Sequence, residues 1–542
     1  MATAIEGTGP RELLWTPSEE RMLNSRMAAY LAWVNRAQHR RLVGYDELWR
    51  WSVDDLNGFW CSIWEWFGVI GETPSTPPTT ALDEPAMPGA DWFPGSRLNF
   101  TENVLRHGSS GGGELAIVGL TEASAQVQLS WAELTHQVAS VARGLRRMGV
   151  GPGDRVAAYL PNIPQAVVAL LAAAAVGAVW SCCHPELGAE NLLDRLRQIE
   201  PVVLIAADGH HVAGRDNDRL DTVRELRAAL PSLRETVLVR HLRPAEQPPS
   251  GFADFHRLAA AEAEPSYQRV PFRHPLWILH GSGTTGLPSG FMHSHGGILL
   301  EHVKAHGLHR ETGPDDRVFI YPDAGRTDWN VLVTALSVGA TIVTYDGSPT
   351  APTTDALFRI CSEQRVTRFG TAAAYLTACE RAGIRPGERH DLSALRSITC
   401  TGPPLPDSTW HWVYRHVKRD LLLESDCGDT SVCTTYIGAN PLLPVYAGEL
   451  PAPFLGVRVE AWSPAGQPVV DEAGDLVVTA PMPSMPVSLW NDPDGRQYRD
   501  AYLAVFPGVW RTGDAIIHTR YGSYVVIPPA PLSAPRTAAA RP

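Results

Sequence analysis

Lysine is nearly absent from this chain of 542 residues. Only Lys304 and Lys418 are lysines among its 46 basic side chains, and the other 44 are arginines. Any reaction step that needs a lysine therefore has two candidates. Each of them lies in a segment with a helical pattern, and we predict that both are surface residues.

Several other features are missing, and each absence excludes a class of protein. No two of the eight cysteines have CxxC spacing, so they are predicted to be reduced thiols, neither zinc ligands nor disulfides. The most apolar stretch, residues 167–180, is too short to cross a bilayer and predicts a buried helix, so no membrane partner is expected. Residues 1–10 do not resemble a secretory signal, which favours a cytoplasmic location. The net charge is −12 and no basic block is present, which excludes nucleic acid as a partner.

What the sequence does contain is an aromatic N-terminal region followed by alternating strands and helices. Residues 1–80 have a helical pattern rich in tryptophan, and these aromatic side chains are predicted to form core. From residue 115 onward, short apolar runs alternate with amphipathic helices in two successive series, which is typical of parallel sheets. After residue 449, short strands with turn signals predict a small antiparallel barrel. The predicted fold class is α/β, with two doubly wound sheet subdomains and a small β-barrel.

A loop rich in glycine and hydroxyl groups, residues 279–289, lies between an apolar run and a helical pattern. Its glycines allow a tight turn whose backbone N–H groups face an anion, and its serine and threonines add hydroxyl donors. This composition suits a phosphate, although the loop does not have the Walker A pattern. From composition alone, a bare turn remains the alternative.

The order Ser-Gly-Thr-Thr-Gly-Leu-Pro in this loop resembles the phosphate loop of the AMP-forming adenylating superfamily, which includes the acyl-CoA synthetases. Within that superfamily the chain is most similar to the acetoacetyl-CoA synthetases. The similar segments are collinear along almost the whole chain, at residues 93–104, 159–164, 197–201, 343–349, 440–449, 481–486 and 490–494. The resemblance implies an adenylate-forming, AMP-binding domain over residues 81–527. It also implies a two-step reaction, in which a carboxylic acid is activated as acyl-adenylate and then transferred to the thiol of coenzyme A.

The resemblance also implies roles for particular residues. The phosphates of ATP would be held by Ser282, Gly283, Thr284, Thr285 and Gly286. The adenine would lie against Gly402, Pro403 and Pro404, and Asp514 would accept both ribose hydroxyls. Thr430 matches the threonine near the α-phosphate, and Thr284 and Thr430 are the predicted catalytic residues. The implied cofactors are ATP or AMP, Mg²⁺ and coenzyme A. No protein-bound metal site is predicted, since His293 and His295 match the segment that follows the family's phosphate loop.

The sequence departs from the family at four positions in this site. Ser289 replaces the lysine that ends the phosphate loop, so the charge that helps to hold the β- and γ-phosphates is missing. Ser431 replaces the acid that coordinates magnesium, with Asp429 as a partial substitute. Arg326 and Asp328 place charge in the acyl-pocket segment, where the family has apolar surface, so an acid other than acetoacetate is expected. The alternative for these two is an exposed ion pair on a loop.

The C-terminal end of the sequence differs from the family as well. Residues 528–542, rich in proline and alanine, are predicted to be disordered, and the hinge and C-terminal lid domain of the family are predicted to be absent. Without the lid and its lysine, adenylation is expected to be slow.

Three functional hypotheses follow. The first is an acyl-CoA ligase for a carboxylic acid such as a β-keto acid. The second is a ligase-derived accessory or cyclisation factor of polyketide-type biosynthesis that adenylates little, with an acyl carrier protein or polyketide enzymes as partners. The third is a decayed product without activity, so whether the chain is an enzyme is left open at this point.

Overall fold

The computed structural model describes residues 11–109, 114–122, 126–281, 289–322, 324–438 and 440–528. Its first large sheet has eight strands, and they are parallel except for the pairs formed by its last two strands. In spatial order they are Ala253–Asp254, Glu235–Val239, Val203–Ala207, Arg155–Tyr159, Val179–Cys183, Pro275–Gly281, Ser289–Ser294 and Ser488–Leu489. We call this the first sheet.

A second large sheet has seven strands, and only the pair formed by its last strand is antiparallel. In spatial order they are Leu422–Ser425, Ser397–Thr401, Arg368–Ala372, Arg317–Ile320, Thr341–Asp346, Leu115–Thr121 and Gln126–Ser130. We call this the second sheet. The order in both sheets is non-sequential, as expected for doubly wound topology, and the predicted α/β class is confirmed.

The α-helices pack around these sheets and form the N-terminal region. They are Glu19–Leu23, Arg26–Ala37, Gly44–Asp54, Leu56–Trp66, Phe100–Leu105, Trp131–Arg147, Pro164–Ala175, Ala189–Ile199, Leu220–Ala229, Phe255–Ala259, His295–Lys304, Thr327–Thr334, Ala356–Glu363, Ala373–Arg381, Pro386–Arg389, Asp407–Trp412 and Arg496–Tyr502. The helix Trp131–Arg147 begins with a capping box between Ser130 and Glu133, which satisfies backbone donors that a helix start leaves free.

Most of the apolar stretch 167–180, which predicted a buried helix, lies in the helix Pro164–Ala175, but its last two residues begin the buried strand Val179–Cys183. The helix begins with proline, whose missing N–H costs nothing at that position, and all of its residues except Gln165 are buried. Within the described residues, no helix combines the length and apolarity that a bilayer crossing requires. The predicted aromatic core of the N-terminal region is present, since Phe59 and Trp60 are fully buried between their neighbours.

The barrel predicted after residue 449 is a four-stranded antiparallel sheet. Its strands are Val459–Trp462, Ala473–Val478, Trp510–His518 and Tyr524–Ile527. Shorter sheets complete the fold: Cys427–Asp429 with Thr434–Gly438 and Ala452–Pro453; Gly71–Glu72 with Arg97–Leu98 and Val270–Pro271; Leu13–Trp15 with Val445–Tyr446; and the hairpin Gly209–Val212 with Arg215–Asp218. Residues 528–542 are predicted to be disordered, and all of them except Pro528 lie outside the described residues.

The prediction that both lysines are surface residues is wrong for Lys304, whose side chain is fully buried. Its Nζ forms a short ion pair with Glu301, donates to the carbonyl oxygen of Leu455 at 2.7 Å and lies 5.2 Å from the ring centre of Trp60. The whole helix His295–Lys304 is buried, so neither of its charged residues reaches water. Burial lowers the pKa of Lys304 and raises the pKa of Glu301, and each charge opposes the shift of the other.

Lys418 is half-buried and also has a structural role. Its Nζ donates to the carbonyl oxygens of Leu392, Ser393 and Leu395 at distances of 2.6–3.1 Å. Three carbonyl acceptors satisfy the three N–H groups of an ammonium. Neither lysine is therefore available for chemistry on a substrate.

Candidate active site

A cavity of about 1390 Å³ lies where the carboxyl ends of both large sheets meet. Parallel α/β sheets place their ligands at this end, because the loops that follow the strands converge there. Its walls include residues that end or follow strands of the first sheet (Cys183, His184, His280), residues that end or follow strands of the second sheet (Pro322, Thr371, Thr401, Asp426) and Asp514 of the four-stranded sheet.

The structure brings several of the sequence-predicted site residues to this one cavity. Gly402, Pro403 and Pro404 follow the strand Ser397–Thr401 and line one wall, and Thr430 and Asp514 line others. Gly402 has a φ of 98°, which favours glycine, and a side chain added there would meet nothing within 4 Å. This turn therefore presents an open backbone face to a ligand. The other predicted residues, Ser282, Gly283, Thr284, Thr285 and Gly286, lie outside the described residues.

Thr430 has a partner that the sequence did not reveal. Its hydroxyl oxygen lies 2.8 Å from the hydroxyl oxygen of Thr327, at the start of the helix Thr327–Thr334. Both residues line the cavity. Only one hydroxyl can donate between the two oxygens, so the other keeps its proton for a ligand. The pair is therefore suited to an anionic oxygen.

Asp429 does not fit the role of a substitute magnesium ligand. Its Oδ1 accepts from the backbone N–H groups of Ser431 and Val432, at 2.6 and 3.1 Å, and from the Ser431 hydroxyl. Its Oδ2 accepts from the hydroxyl of Tyr436 at 2.9 Å. Both carboxylate oxygens are thus used to hold the local turn, and Ser431 supplies no charge in their place. The residues at this position do not fit a magnesium ion, and we derive no step through one.

Asp514 presents a carboxylate at the cavity wall. It lies in the strand Trp510–His518, and its side chain has no hydrogen-bond partner among the described residues. Burial by the surrounding walls and the charge of Asp429 raise the pKa of Asp514. A carboxylate that is partly desolvated and still unpaired gains from a ligand that supplies hydroxyl donors.

The charges of the acyl-pocket segment also face the cavity, but they do not form the exposed ion pair considered above. Arg326 and Asp328 both belong to the described residues, and the distance between the guanidinium nitrogens and the carboxylate oxygens is greater than 4.0 Å. Asp328 is partly buried, and its Oδ2 accepts from the hydroxyl of Thr401 at 3.3 Å. Burial raises the pKa of Asp328, with a smaller opposing contribution from Arg326. No other hydrogen bond to the carboxyl of Asp328 is present among the described residues, so it keeps capacity for a polar group of a ligand.

One wall of the cavity contains buried charges that the sequence did not indicate. Arg310 pairs with Asp426 at 2.8 Å and donates to the hydroxyl of Thr435 at 3.2 Å. Glu424 is fully buried beside them and accepts from the hydroxyl of Thr399 at 2.8 Å. Burial, together with the charge of Asp426, raises the pKa of Glu424 to about 7. The side chains of this group come from four separate segments of the chain, so no local sequence pattern indicates it.

The substitution Glu424→Gln is expected to raise the thermal stability in a pH-dependent way. Because the pKa of Glu424 in the folded protein lies above its usual value of 4.5, ionisation weakens the folded state increasingly from about pH 4.5 to about pH 7. Glutamine removes this cost and still accepts from Thr399. We expect the gain in Tm to be largest at about pH 8 and nearly absent at about pH 4.

Thermal unfolding of the two proteins across this pH range checks the prediction. The matched control is Glu363→Gln, an exposed glutamate on the helix Ala356–Glu363. It should show no pH-dependent gain. Equal gains for Glu424→Gln at both pH values would contradict the assigned ionisation cost.

With the geometry in place, comparison with known proteins identifies the family. Residues 107–485 match the family model described as "AMP-binding enzyme". The chain belongs to the AMP-binding enzyme family. Residues 45–104 also match the model of the acetyl-coenzyme A synthetase N-terminus, which covers most of the helical, aromatic region before the sheets. The resemblance noted from the phosphate loop is thereby confirmed at the level of the family.

Individual members of the AMP-binding enzyme family give a finer comparison. An acetoacetyl-CoA synthetase of Rhizobium meliloti is 40% identical over 520 residues, which is 95% of this chain and 78% of that protein. The structure of an acetoacetyl-CoA synthetase from Streptomyces lividans matches with a TM-score of 0.91 and 48% identity, covering 95% of this chain and 80% of that one. A malonamoyl-CoA synthetase of Penicillium aethiopicum is 32% identical, covering 96% of this chain and 75% of that protein. The chain is therefore similar to acyl-CoA ligases throughout its length.

Two of the expectations above are not confirmed by these comparisons. The lack of a C-terminal lid domain stays a prediction. The alternative of an accessory factor that does not adenylate receives no support from any of the relatives named here.

Proposed function

We propose that this protein is an acid–thiol ligase that activates a short carboxylic acid with ATP and transfers the acyl group to coenzyme A. The observation that carries the proposal is the convergence of Gly402–Pro404, Thr430 and Asp514 on one cavity. These residues come from three separate segments of the chain. The fold that brings them together is shared with an acetoacetyl-CoA synthetase at a TM-score of 0.91.

Each group in the cavity has a role that its chemistry supports. The carboxylate of Asp514 accepts from the two ribose hydroxyls, because an ionised oxygen pair suits a vicinal diol. The turn Gly402–Pro404 offers an open face for the adenine. The hydroxyl pair of Thr327 and Thr430 donates to an α-phosphate oxygen, where negative charge rearranges during acyl transfer. The predicted phosphate loop, residues 282–286, completes the nucleotide site in this proposal.

The acid that we propose is a short one with a polar group at its third carbon, and a β-keto acid is the first choice. The exposed Arg326 donates to a keto or amide oxygen, and the carboxyl of Asp328 at the same wall keeps capacity for a polar partner. An apolar acid would leave Arg326 without a partner and place apolar surface against both charges. The malonamoyl-CoA synthetase among the relatives acts, by its name, on an acid with a polar third carbon. Coenzyme A is the proposed acceptor, and an acyl carrier protein or a cytoplasmic location stays a prediction.

The substitution Ser289→Lys is expected to raise the affinity for ATP about tenfold and to leave the affinity for AMP unchanged. A lysine at this position restores the charge that the family places near the β- and γ-phosphates, which AMP lacks. Calorimetric titration with each nucleotide at low salt measures the two affinities. Ser289→Gln is the control, since it adds length without charge. An equal gain for both nucleotides, or an equal gain in the glutamine variant, would contradict the assignment.

The proposal is tested by acid-dependent exchange of labelled pyrophosphate into ATP. The panel contains acetoacetate, malonamate, acetate and a longer apolar acid. We expect exchange with the β-keto acid or the amide acid, and at least about tenfold less with the apolar acids, because a site built for a polar group rejects an analogue without it. If the protein binds AMP but none of the acids in the panel supports exchange, the ligase function is overturned and the accessory role is favoured.

A further inference from the structure

Three side chains outside the cavity converge where the two large sheets approach each other. His211 belongs to the hairpin strand Gly209–Val212, His241 follows the strand Glu235–Val239 of the first sheet, and Asp346 ends the strand Thr341–Asp346 of the second sheet. One ligand atom from each lies within 4.8 Å of the others. None of the three lines the cavity.

Hydrogen bonds connect the members of this cluster to one another and to the hairpin, and one of them joins His241 directly to Asp346. Oδ2 of Asp346 accepts from the backbone N–H of His211 at 2.9 Å and lies 2.7 Å from Nε2 of His241. Nδ1 of His211 lies 2.7 Å from Oδ1 of Asp216 on the facing strand of the hairpin. This contact leaves Nε2 of His211 as its ligand atom. A carboxylate behind a histidine is the usual support of a metal-binding imidazole, because it fixes the tautomer and the ring orientation.

The backbone around both histidines is held in place by two further carboxylates. Asp208 accepts from the backbone N–H groups of His241 and Leu242, both at 2.8 Å. Glu122 accepts from the backbone N–H groups of Ala213 and Gly214 at the tip of the hairpin, at 3.0 and 2.6 Å. The backbone that carries the two imidazoles is thus held in place before any ion arrives. Such preorganisation reduces the entropy that binding would otherwise lose.

We propose that His211, His241 and Asp346 bind one divalent transition-metal ion, with zinc as the first choice. Two imidazole nitrogens and a carboxylate form a donor set that zinc and its neighbours prefer, whereas magnesium and calcium prefer oxygen donors alone. When the ion binds, Nε2 of His241 exchanges its contact with Asp346 for a bond to the metal, and its ring proton resides on Nδ1. The ion joins the first sheet to the second, so its role is structural. This proposal is independent of the ligase reaction.

Titration of the metal-free full-length protein with ZnCl₂ tests the site. We expect one tight site per chain and a rise in Tm on zinc addition. The variants His241→Gln and His211→Gln should bind zinc at least about tenfold more weakly and lose the rise in Tm. Cobalt(II) should give visible absorption bands in the wild type that both variants lack. The control His136→Gln, a partly exposed histidine on the helix Trp131–Arg147, should behave as the wild type.

Two results would overturn the site. One is the absence of zinc binding to the wild type; the other is equal binding by the wild type and the His211→Gln and His241→Gln variants, which would place the ion elsewhere, on cysteines or other histidines. His211→Gln guards against a folding defect, because Asp346 bonds the backbone of that residue and not its side chain. MgCl₂ serves as the control ion and should produce no rise in Tm.

Discussion

The substitution Asp514→Asn is expected to weaken the binding of AMP by about 100-fold. The asparagine side chain keeps the shape but loses the charge that, in the proposed site, accepts from both ribose hydroxyls. Two charge-assisted hydrogen bonds together contribute ~3 kcal/mol, which corresponds to about 100-fold in the dissociation constant. Calorimetric titration of both proteins with AMP measures the difference.

The matched control for this prediction is Asp500→Asn. Asp500 is an exposed carboxylate on the helix Arg496–Tyr502, and it pairs only weakly with Arg496 at 3.6 Å. Its substitution should leave the AMP affinity unchanged. The wild type should also bind AMP more weakly as the pH falls through the raised pKa of Asp514, because the protonated acid is a poorer acceptor. An Asp514→Asn variant with wild-type affinity would show that the ribose binds elsewhere.

The substitution Lys304→Met is expected to destabilise the protein by ~3–5 kcal/mol. Methionine has a suitable length for the space beneath Trp60, but it leaves the buried carboxylate of Glu301 without its partner. It also leaves the carbonyl oxygen of Leu455 without a donor. Urea unfolding followed by tryptophan fluorescence measures the loss.

A second variant separates the lost charge pair from a simple packing defect. In Glu301→Gln with Lys304→Met, no buried charge remains unpaired, and most of the loss should be recovered. Lys418→Met is the comparison at a half-buried lysine, where water can replace the lost donors, and it should cost less. A loss at Lys304 that equals the loss at Lys418, or that persists in the double variant, would contradict the buried ion pair.

The parts of the fold that depend on local pattern were predictable. The apolar run that became the helix Pro164–Ala175 and the strands Arg155–Tyr159 and Ser397–Thr401 have periodicities that burial enforces. Part of the candidate site followed from the resemblance of its motifs to the family, which singled out Gly402, Thr430 and Asp514. These residues are far apart in sequence and line one cavity, and of the three only Gly402 follows a strand of a parallel sheet.

The parts that depend on distant partners were not predictable. Lys304 resembles a surface residue in its helix, and only the packing of Trp60 and Leu455 around it shows that it is buried. Asp429 resembles a free acid in the sequence, but its own turn uses both of its oxygens. The burial of Lys304 and the hydrogen bonding of Asp429 depend on contacts between residues of separate elements. Periodicity and motif spacing in the sequence do not reveal such contacts.

The same holds for the pairing of Thr327 with Thr430 and for the cluster of His211, His241 and Asp346. The cluster takes its members from a hairpin, a loop and a strand end, separated by up to 135 positions along the chain. A metal site can be predicted from a paired spacing such as CxxC or HxxxH, but the three residues of this cluster do not have such a spacing. Sequence reasoning accordingly predicted no metal site.

The ligase function is tested most directly by product formation. The purified protein is incubated with ATP, Mg²⁺, coenzyme A and acetoacetate or malonamate, and acyl-CoA and AMP are measured by mass spectrometry. We predict equal amounts of acyl-CoA and AMP, formed only when the acid is present and strongly reduced in Asp514→Asn. Release of ADP in place of AMP, or no acyl-CoA with any acid of the panel, would contradict the assignment.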